Sequence, residues 1–509
     1  MSAFAEPELD VDDIQGHVLI GFGVGFQEVV GVRLRSDRLD AARTALRPWV
    51  EKVTTSRVAE RSRRLRRVAR RAGLMKAGRP TLMVAVSLST HGLERLGAGV
   101  GPDDPLFREG AAASAAALGD DVDEHGRPLG WVVGDQPATT PDIFIVLGSE
   151  EEEIVRAGAD ALERDLSDSV EVVYRERGAR LPGDTEHFGF ADGISQPGVR
   201  GTIEGTRFFT ERAYPEDDPL ALTHARPGQP LVWPGQFVFG YPTQRIDDPA
   251  PGPAIGAGDP LLEHGSVLVF RRLKQDVAGF QKGMKRLADE FAAQGLAVTE
   301  SVAAAWCVGR WPDGTPVSLS PAGPDPAISG DSMRRNGFQF LRPLPPATLH
   351  DHDGVAIGFP GAIADPHGFS CPFFAHVRKV NPRDHPVDQG STGITLRSQM
   401  LRRGVPYGPH WPGHEDGADR GLLFMAYQTS IGSQFHRLMS LWVNNTSAPL
   451  GDGIDPLLGA PSEGGRPLRR RMNPSTSFKV RLPGRWITTT GAGYFFAPGI
   501  RALRRLIAS

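Results

Sequence analysis

The sequence of 509 residues contains only two cysteines, Cys307 and Cys371. Two cysteines are too few for a disulfide framework, and the absence of a CxxC pair excludes the usual zinc and thiol redox motifs. No apolar run is long enough to cross a bilayer as a helix. The N-terminal stretch MSAFAEPELDVDD is acidic and has neither the apolar segment of a signal peptide nor a twin-arginine motif. These absences predict a cytoplasmic protein without a membrane anchor.

A strong charge of either sign is missing as well. The formal net charge is −3, and no long run of one sign interrupts the chain, so we expect neither nucleic acid nor a membrane as a partner. The most basic stretch, RSRRLRRVARR from Arg61 to Arg71, is interpreted as the solvated face of a helix. A phosphate-binding patch is the alternative.

Glycine and proline are abundant, with 61 and 43 residues, which predicts much loop and turn. Apolar periodicity and capping residues predict the regular elements between the loops. We predict strands over residues 81–88, 142–147, 169–174, 266–270 and 421–427, and helices over residues 39–53, 90–96, 149–166, 275–294 and 430–444. Residues 206–258 are expected to form an ordered loop excursion packed on the surface, with a linker as the alternative. The order of the elements fits an α+β fold of split βαβ units in two related halves, joined near residue 220.

One histidine lies in an apolar segment of the second half. Residues 370–382 are predicted to form a helix, because a serine can cap its start and a proline suits its first turn, while a second proline ends it. His376 then shares one face with Phe373, Val377 and Val380. The simpler interpretation is a buried histidine bonded to a carbonyl. The functional alternative is an axial ligand of haem iron, whose other ring N–H needs a partner that the sequence does not identify.

The residues around this histidine offer further possibilities. Cys371 is expected to be an inert buried thiol, with thiolate ligation of iron as the rival interpretation. Arg378, Lys379 and Arg383 carry charges that fit either the carboxylates of a bound ligand or a solvated face.

A second informative stretch runs from Gly189 to Gly193, GFADG, within HFGFADGISQPG. The two glycines permit a tight backbone path and close approach to a flat ligand, with the carboxylate of Asp192 between them. An Asp-Gly pair is often an ordinary turn. The aromatic and glycine-rich surroundings favour a binding loop here.

Together these motifs resemble one family. GFADGISQPG, HVRKVNPR and LRRGVPYG, with DIQGHVL near the start and GLLFMAYQ near the end, are similar to the dye-decolorizing haem peroxidases, and the similarity covers nearly the whole chain. The resemblance implies an α+β fold of two ferredoxin-like domains with antiparallel sheets and flanking helices. Residues 1–220 would carry the GxxDG loop, and residues 221–509 would carry the axial histidine and bind the haem. It also implies one haem b per chain, with hydrogen peroxide and dyes, phenolics or other one-electron donors as substrates.

The resemblance also assigns roles to single residues. Asp192 would be the acid–base group on the distal side of the haem, opposite the axial ligand His376. Arg402 would be the distal arginine, because the following VPYG sets the register, with Arg397 and Arg403 as alternatives. The other implied haem contacts are Gly193, Ile194 and Ser195 through their backbone, Asn381, Pro382 and Arg383 near the propionates, and Leu422 and Phe424 on the distal wall. Candidates for passing electrons from large dyes are Tyr407, Trp411, Trp442 and Trp486, although a packing role is the favoured interpretation of each.

These residue types suit peroxide chemistry. Asp192 can move a proton between the two peroxide oxygens, a transfer that typically contributes roughly 10²–10⁴ in rate. Arg402 stays protonated and can stabilise the charge that develops as the O–O bond breaks. A carboxylate as the base fits the acidic working range associated with the family.

Other functions stay open. The same haem site could serve release of iron from haem, oxygenase chemistry or haem storage, although storage needs neither Asp192 nor Arg402. A metal-dependent hydrolase would use either the run His350 to Asp353 or the pair His410 and His414, but neither set has a third zinc ligand at suitable spacing. The oligomeric state and the natural electron donor cannot be predicted from the sequence.

Overall fold

Eight antiparallel strands form the centre of the molecule. The computed structural model describes residues 4–73, 81–205, 207–351, 353–387, 390–482 and 484–508. The eight strands are β1 (Phe26–Leu34), β2 (Met83–Leu88), β3 (Ile143–Ser149), β4 (Val170–Ala179), β5 (Ser266–Gln275), β6 (Val405–Tyr407), β7 (Gly421–Gln428) and β8 (Ile487–Ala497). Their order is β5-β8-β2-β3-β1-β4-β6-β7, and β7 also pairs with β5, so the sheet closes into a barrel.

Each half of the barrel repeats one motif. Strands β1 to β4 lie in the order β4-β1-β3-β2, with helices Leu39–Glu51 and Glu152–Leu166 following β1 and β3. Strands β5 to β8 repeat this order as β8-β5-β7-β6, with helix Val277–Ala293 after β5 and π-helical turns Gly432–His436 and Leu438–Val443 after β7. This βαββαβ order with antiparallel pairing confirms an α+β fold of two ferredoxin-like units. The boundary at residue 220 stays a prediction.

The two faces of the barrel wall bury different clusters. Successive side chains of a strand point to opposite faces, and in β3 both faces are buried. On the inner face, Phe144 packs against Phe270 and Phe495, with ring centroids 4.7 Å apart in each pair. On the outer face, Ile145 belongs to the cluster that includes Leu162 of the covering helix. Burial on both faces explains why β3 reads as a continuous apolar run.

Most of the predicted elements are present, with ends displaced by a few residues. Two long strands, β1 and β8, were not predicted. The sequence of β1 contains Gln27 and Glu28, which are polar but buried, and β8 begins with a run of threonines and glycines. The loop excursion at residues 206–258 is ordered as expected, but its surface location is wrong, because Trp233 and Val238 are completely buried.

Shorter elements surround the barrel. The remaining α-helices are Gly16–Leu19, Ser56–Arg71, Thr90–Arg95, Pro105–Glu109, Glu300–Val308, Pro326–Ser329, His376–Val380, Gly393–Arg397 and Ile500–Ala508. The remaining strands are Gly198–Val199, Thr202–Ile203, Arg207–Phe208, His224–Arg226, Gln229–Val232, Pro242–Gln244, Pro251–Ala254, Ala347–His350, Ala356–Phe359, Leu401–Arg402, Arg466–Arg471 and Ser477–Leu482. Within the described ranges, every helix is too short or too polar to span a membrane. The cytoplasmic location stays a prediction.

Candidate active site

A cavity of about 370 Å³ lies against the outer face of strands β5 and β7. Its other walls come from the GxxDG loop, the His376–Val380 helix and the π-helical turns after β7. Its volume is within the range of small-molecule sites. The predicted site residues that line it are Asp192, Gly193, Ile194, Ser195, His376, Asn381, Arg383, Arg402, Leu422 and Phe424. Pro382 is buried outside this lining, and its contact with the ligand stays a prediction.

His376 presents one ring nitrogen to the cavity. Its Nδ1 lies 2.8 Å from Oδ2 of Asp455, which leaves Nε2 as the nitrogen available to a ligand. About a quarter of the His376 side chain is exposed, whereas the Asp455 side chain is completely buried. Burial alone would lower the pKa of His376, but the carboxylate of Asp455 outweighs it and the net shift is upward. Asp455 is therefore the partner that the sequence did not identify.

The carboxylate of Asp455 is itself held in place. Its Oδ1 accepts the backbone N–H groups of Leu457 and Leu458 at 2.8 and 2.9 Å. Burial alone would raise the pKa of Asp455, but His376 and these two N–H groups lower it overall. An ionised Asp455 fixes the orientation of the imidazole and increases its basicity, as is usual for metal-binding histidines.

The helix that carries His376 is shorter than predicted. It spans His376–Val380, with Ala375 at its N-cap, and the predicted start at residue 370 is wrong. The carboxylate of Asp365 binds the backbone N–H groups of residues 369–371, which holds that segment in a turn instead. Arg378 and Lys379 are completely buried and do not line the cavity, so neither the ligand-carboxylate nor the solvated-face interpretation holds for them.

The GxxDG loop places Asp192 at the cavity. Gly189 and Gly193 have φ angles of 91° and 70°, a region that glycine adopts without strain. The Oδ1 atom of Asp192 accepts the N–H of Gly193 at 2.6 Å. Its backbone N–H donates to Asp184, at 3.1 Å. The loop therefore fixes a carboxylate that is exposed to the cavity, opposite the barrel wall.

Arg402 is joined to the same loop. Its Nη2 donates to the carbonyl of Ser195. The side chain of Gln196 accepts from the backbone N–H of Arg402 at 3.3 Å and donates to its carbonyl at 3.1 Å. Burial lowers the pKa of Arg402, and the nearby charge of Asp192 opposes that shift. Two groups 210 residues apart in sequence are thus held at one wall of the cavity.

The two alternatives to Arg402 are placed differently. Arg403 donates to the carbonyls of His17, Val18 and Leu19 at distances of 2.8 to 3.0 Å. Burial lowers its pKa to about 9. Arg397 is exposed and outside the cavity lining. This geometry favours Arg402 as the cation of the site, and its role stays a prediction.

One edge of the cavity carries further cations. Arg383 donates to the carbonyls of Gly228, Asn336 and Phe338 at 2.5 to 3.1 Å, and Arg310 lies beside it. Burial lowers the pKa of Arg383 to about 9 and that of Arg310 to about 10. Both remain cationic at neutral pH, so this edge suits the carboxylates of a ligand.

Glu186 was missed by the sequence analysis. Its carboxylate lines the cavity and accepts the backbone N–H groups of Phe188 and Phe190 at 2.9 and 3.0 Å, and the side-chain N–H of Gln275 at 2.5 Å. Burial raises the pKa of Glu186 to about 7, and the charge of Asp192 adds to this effect. The available signal was an acidic residue directly before the aromatic and glycine-rich run.

The rival candidates lie elsewhere. Cys371 is buried outside the cavity lining, and burial raises its pKa to about 12, as expected for an inert thiol. Among the described residues, the one cluster of His, Cys, Asp or Glu with metal-site spacing does not include His350, His410 or His414. His352 lies outside the described residues. The proposed electron-relay residues Tyr407, Trp442 and Trp486 are buried, and Trp411 is partly exposed.

The residues of the cavity fit a haem. The exposed imidazole nitrogen supplies a neutral donor, while Leu422 and Phe424 supply apolar walls. The cations Arg383 and Arg310 suit propionate groups, and the carboxylate of Asp192 and the guanidinium of Arg402 line the same cavity. The donor set contains no exposed thiolate, which leaves His376 as the ligand for iron.

Comparison with known proteins gives a consistent result. A family model for the DyP dimeric alpha+beta barrel domain matches residues 13–182. The chain is 29% identical to dye-decolorizing peroxidase msp1 of Mycetinis scorodonius, over 86% of this chain and 78% of the relative. It is also 29% identical to the multifunctional dye peroxidase DyP2 of Amycolatopsis sp., over 86% and 88% of the two chains. An ancestral D-type dye decolorizing peroxidase has a similar structure, with a TM-score of 0.75, 27% identity and coverage of 99% and 100%.

A histidine that is bonded to a buried aspartate and faces a cavity with a carboxylate and an arginine is an arrangement that suits a haem peroxidase. The closed barrel of two ferredoxin-like units agrees with the match to the DyP dimeric alpha+beta barrel domain. Over nearly its whole length the chain is similar to dye-decolorizing peroxidases.

Proposed function

We propose that this chain binds one haem b with His376 as the axial ligand and uses it to reduce hydrogen peroxide while oxidising dyes, phenolics or other one-electron donors. When bound, the haem supplies an iron that breaks the O–O bond of the peroxide and then takes electrons from the donor. The observation that supports the proposal is that His376, which is hydrogen-bonded to the buried Asp455, lines a single cavity together with Asp192 and Arg402.

On one side of the cavity, His376 would bind the haem iron through Nε2. Asp455 accepts the Nδ1 proton, so the ring keeps a fixed orientation and a single tautomer. The partly ionic hydrogen bond makes His376 a stronger donor than a histidine bonded to a carbonyl.

On the other side, Asp192 and Arg402 act on the peroxide. Asp192 would take a proton from one oxygen of hydrogen peroxide and return it to the other oxygen, which would leave as water. Arg402 would stabilise the negative charge that develops on the leaving oxygen during this transfer. Anchorage of Arg402 to Ser195 and Gln196 holds the two groups on the same wall.

The remaining cavity residues bind the macrocycle. Gly193, Ile194 and Ser195 would contact it through their backbone, and Leu422 and Phe424 would limit the space around the bound peroxide. Asn381 and Arg383 lie at the propionate edge, where Arg310 adds a second cation. We also propose residues 1–220 and 221–509 as the two domains, because each contains one set of four ferredoxin-like strands.

The runner-up functions are haem iron release and haem storage, and the names of the full-length relatives favour peroxidase activity. The test is product analysis of the haem-loaded protein with peroxide and an anthraquinone dye. Peroxidase activity predicts stoichiometric loss of peroxide and dye with intact haem. Free iron and haem breakdown without dye oxidation would replace the proposal with iron release, and no turnover of either kind would replace it with storage.

A further inference from the structure

Lys379 is a buried cation on the helix that carries His376. It lies three residues after His376 and its side chain has no exposed surface. Its Nζ donates to the main-chain carbonyls of Asn445, Ala448 and Gly453 at 2.6, 2.7 and 2.6 Å. An ammonium group has three N–H donors, so all of them are used inside the protein.

The three carbonyls belong to one loop, residues 445–453, which connects the Leu438–Val443 turn to Asp455. At the end of this loop, the backbone N–H of Asp455 donates to the carbonyl of Val443 at 3.0 Å. Burial lowers the pKa of Lys379 to about 8, and the charges of Asp455 and Asp452 oppose that shift. A buried ammonium is costly unless it is fully bonded, and here its bonds all go to the loop before Asp455.

We propose that Lys379 is a positioning residue for Asp455: it fastens the 445–453 loop to the His376 helix, so that Oδ2 of Asp455 stays within hydrogen-bond distance of Nδ1 of His376. Lys379 and His376 lie on one short helix. This helix therefore sets the position of His376 directly and the position of Asp455 through the loop that Lys379 binds. The inference rests on the proposed function, in which His376 binds haem iron.

A general contribution to stability is the competing explanation, and Arg378 separates the two. Arg378 is on the same helix and is also completely buried. It donates to the carboxylate and carbonyl of Asp365 and to the carbonyl of Cys371. These partners lie outside the 445–453 loop. Arg378→Gln is therefore a matched control for Lys379→Gln, since each variant removes one buried cation from the same helix.

The experiment measures the iron–histidine stretching frequency of the reduced, haem-loaded protein by resonance Raman spectroscopy, together with the midpoint potential. Loss of the hydrogen bond from Nδ1 makes the imidazole a weaker donor. In Asp455→Asn we expect a lower stretching frequency and a more positive potential. Lys379→Met is expected to shift both in the same direction, and Lys379→Gln, which keeps two N–H donors, by a smaller amount. Arg378→Gln should keep the wild-type values.

The double variant decides whether Lys379 acts through Asp455. If it does, Lys379→Met adds no further shift in the Asp455→Asn background. Wild-type values in the Lys379 variants, or a full additional shift in the double variant, would overturn the inference. Should Lys379→Met not fold, Lys379→Gln alone and with Asp455→Asn gives the same comparison. Failure of the wild-type protein to bind haem would instead overturn the proposed function.

Discussion

Oδ2 of Asp455 lies 2.8 Å from Nδ1 of His376, although the two residues are 79 positions apart in the chain. The pair joins the short His376 helix to a loop after the π-helical turns of the second ferredoxin-like unit. Its geometry selects Nε2 of His376 as the ligand atom and keeps a negative charge behind the imidazole. The reactivity assigned to the cavity therefore depends on a residue that does not line it.

Replacement of Asp455 by asparagine is expected to weaken haem binding by about 10- to 100-fold, because second-layer partners of metal-binding histidines typically contribute that much. Haemin titration followed by absorption measures the affinity. Asp289→Asn, which changes an exposed carboxylate on helix Val277–Ala293, serves as the control. Equal affinities of the Asp455 variant and the wild type would contradict the assigned role.

Asp192→Asn is expected to leave haem binding intact and to slow the reaction with hydrogen peroxide by about 10²–10⁴-fold, because the amide cannot accept the peroxide proton. Stopped-flow absorption after a single addition of peroxide measures the rate. The control is Asp217→Asn, an exposed carboxylate outside the cavity. A variant that reacts as fast as the wild type would show that another group moves the proton.

Arg402→Leu is expected to retain haem and to lower the same peroxide rate by about 10²–10³-fold, the usual loss when one charge-stabilising donor is removed. Arg397→Leu should have no effect, because Arg397 lies outside the cavity lining. Arg403→Leu should lower the midpoint of thermal unfolding, since it leaves three carbonyls without their donor. A larger peroxide defect in a folded Arg403 variant than in the Arg402 variant would reverse the assignment.

Glu186 predicts a pH dependence of stability. Its pKa is raised from the ordinary 4.5 to about 7, so the folded protein binds this proton more tightly than the unfolded chain does. The contribution of Glu186 to the free energy of unfolding is therefore most favourable below pH 4.5, falls as the pH rises to 7 and stays low above it. A shift of this size corresponds to about 3 kcal/mol.

Urea unfolding at pH 4 and pH 8 tests this dependence. Glutamine cannot ionise. The free energy of unfolding of Glu186→Gln, relative to that of the wild type, should therefore be higher at pH 8 than at pH 4. Glu216→Gln, on an exposed side chain, should show no such change. An identical difference between wild type and Glu186→Gln at both pH values would rule out the proposed titration.

The sequence predicts the local parts of the site well. Asp192 in the GxxDG loop and His376 in HVRKVNPR both line the cavity, in segments that local glycine and apolar patterns single out. Asp455 was not predictable in this way. It is one of 60 acidic residues, and no local sequence feature distinguishes it from the others. Lys379 and Arg378 were expected at the surface or near a ligand, and only the tertiary structure supplies the carbonyls that bury them.

The fold shows the same division. Periodicity indicates the strands that are apolar on both faces, such as β3, whereas β1 is obscured by its buried Gln27 and Glu28. Glu28 is paired with Arg175 of β4, a contact that depends on the pairing of β1 with β4 and cannot be inferred from either segment alone. Closure of the two sheets into one barrel likewise depends on pairings between strands far apart in sequence.

The most direct test of the central claim is the optical absorption spectrum of the protein loaded with haemin, compared with that of His376→Ala. For the wild type we predict one haem per chain and the absorption spectrum of a histidine-ligated ferric haem. His376→Ala should lack this spectrum, and added imidazole should restore it. The control is His410→Ala, which removes an exposed histidine outside the cavity and should give the wild-type spectrum. An unchanged haem spectrum in His376→Ala, or no haem binding by the wild type at any loading, would contradict the assignment of this cavity as a haem peroxidase site.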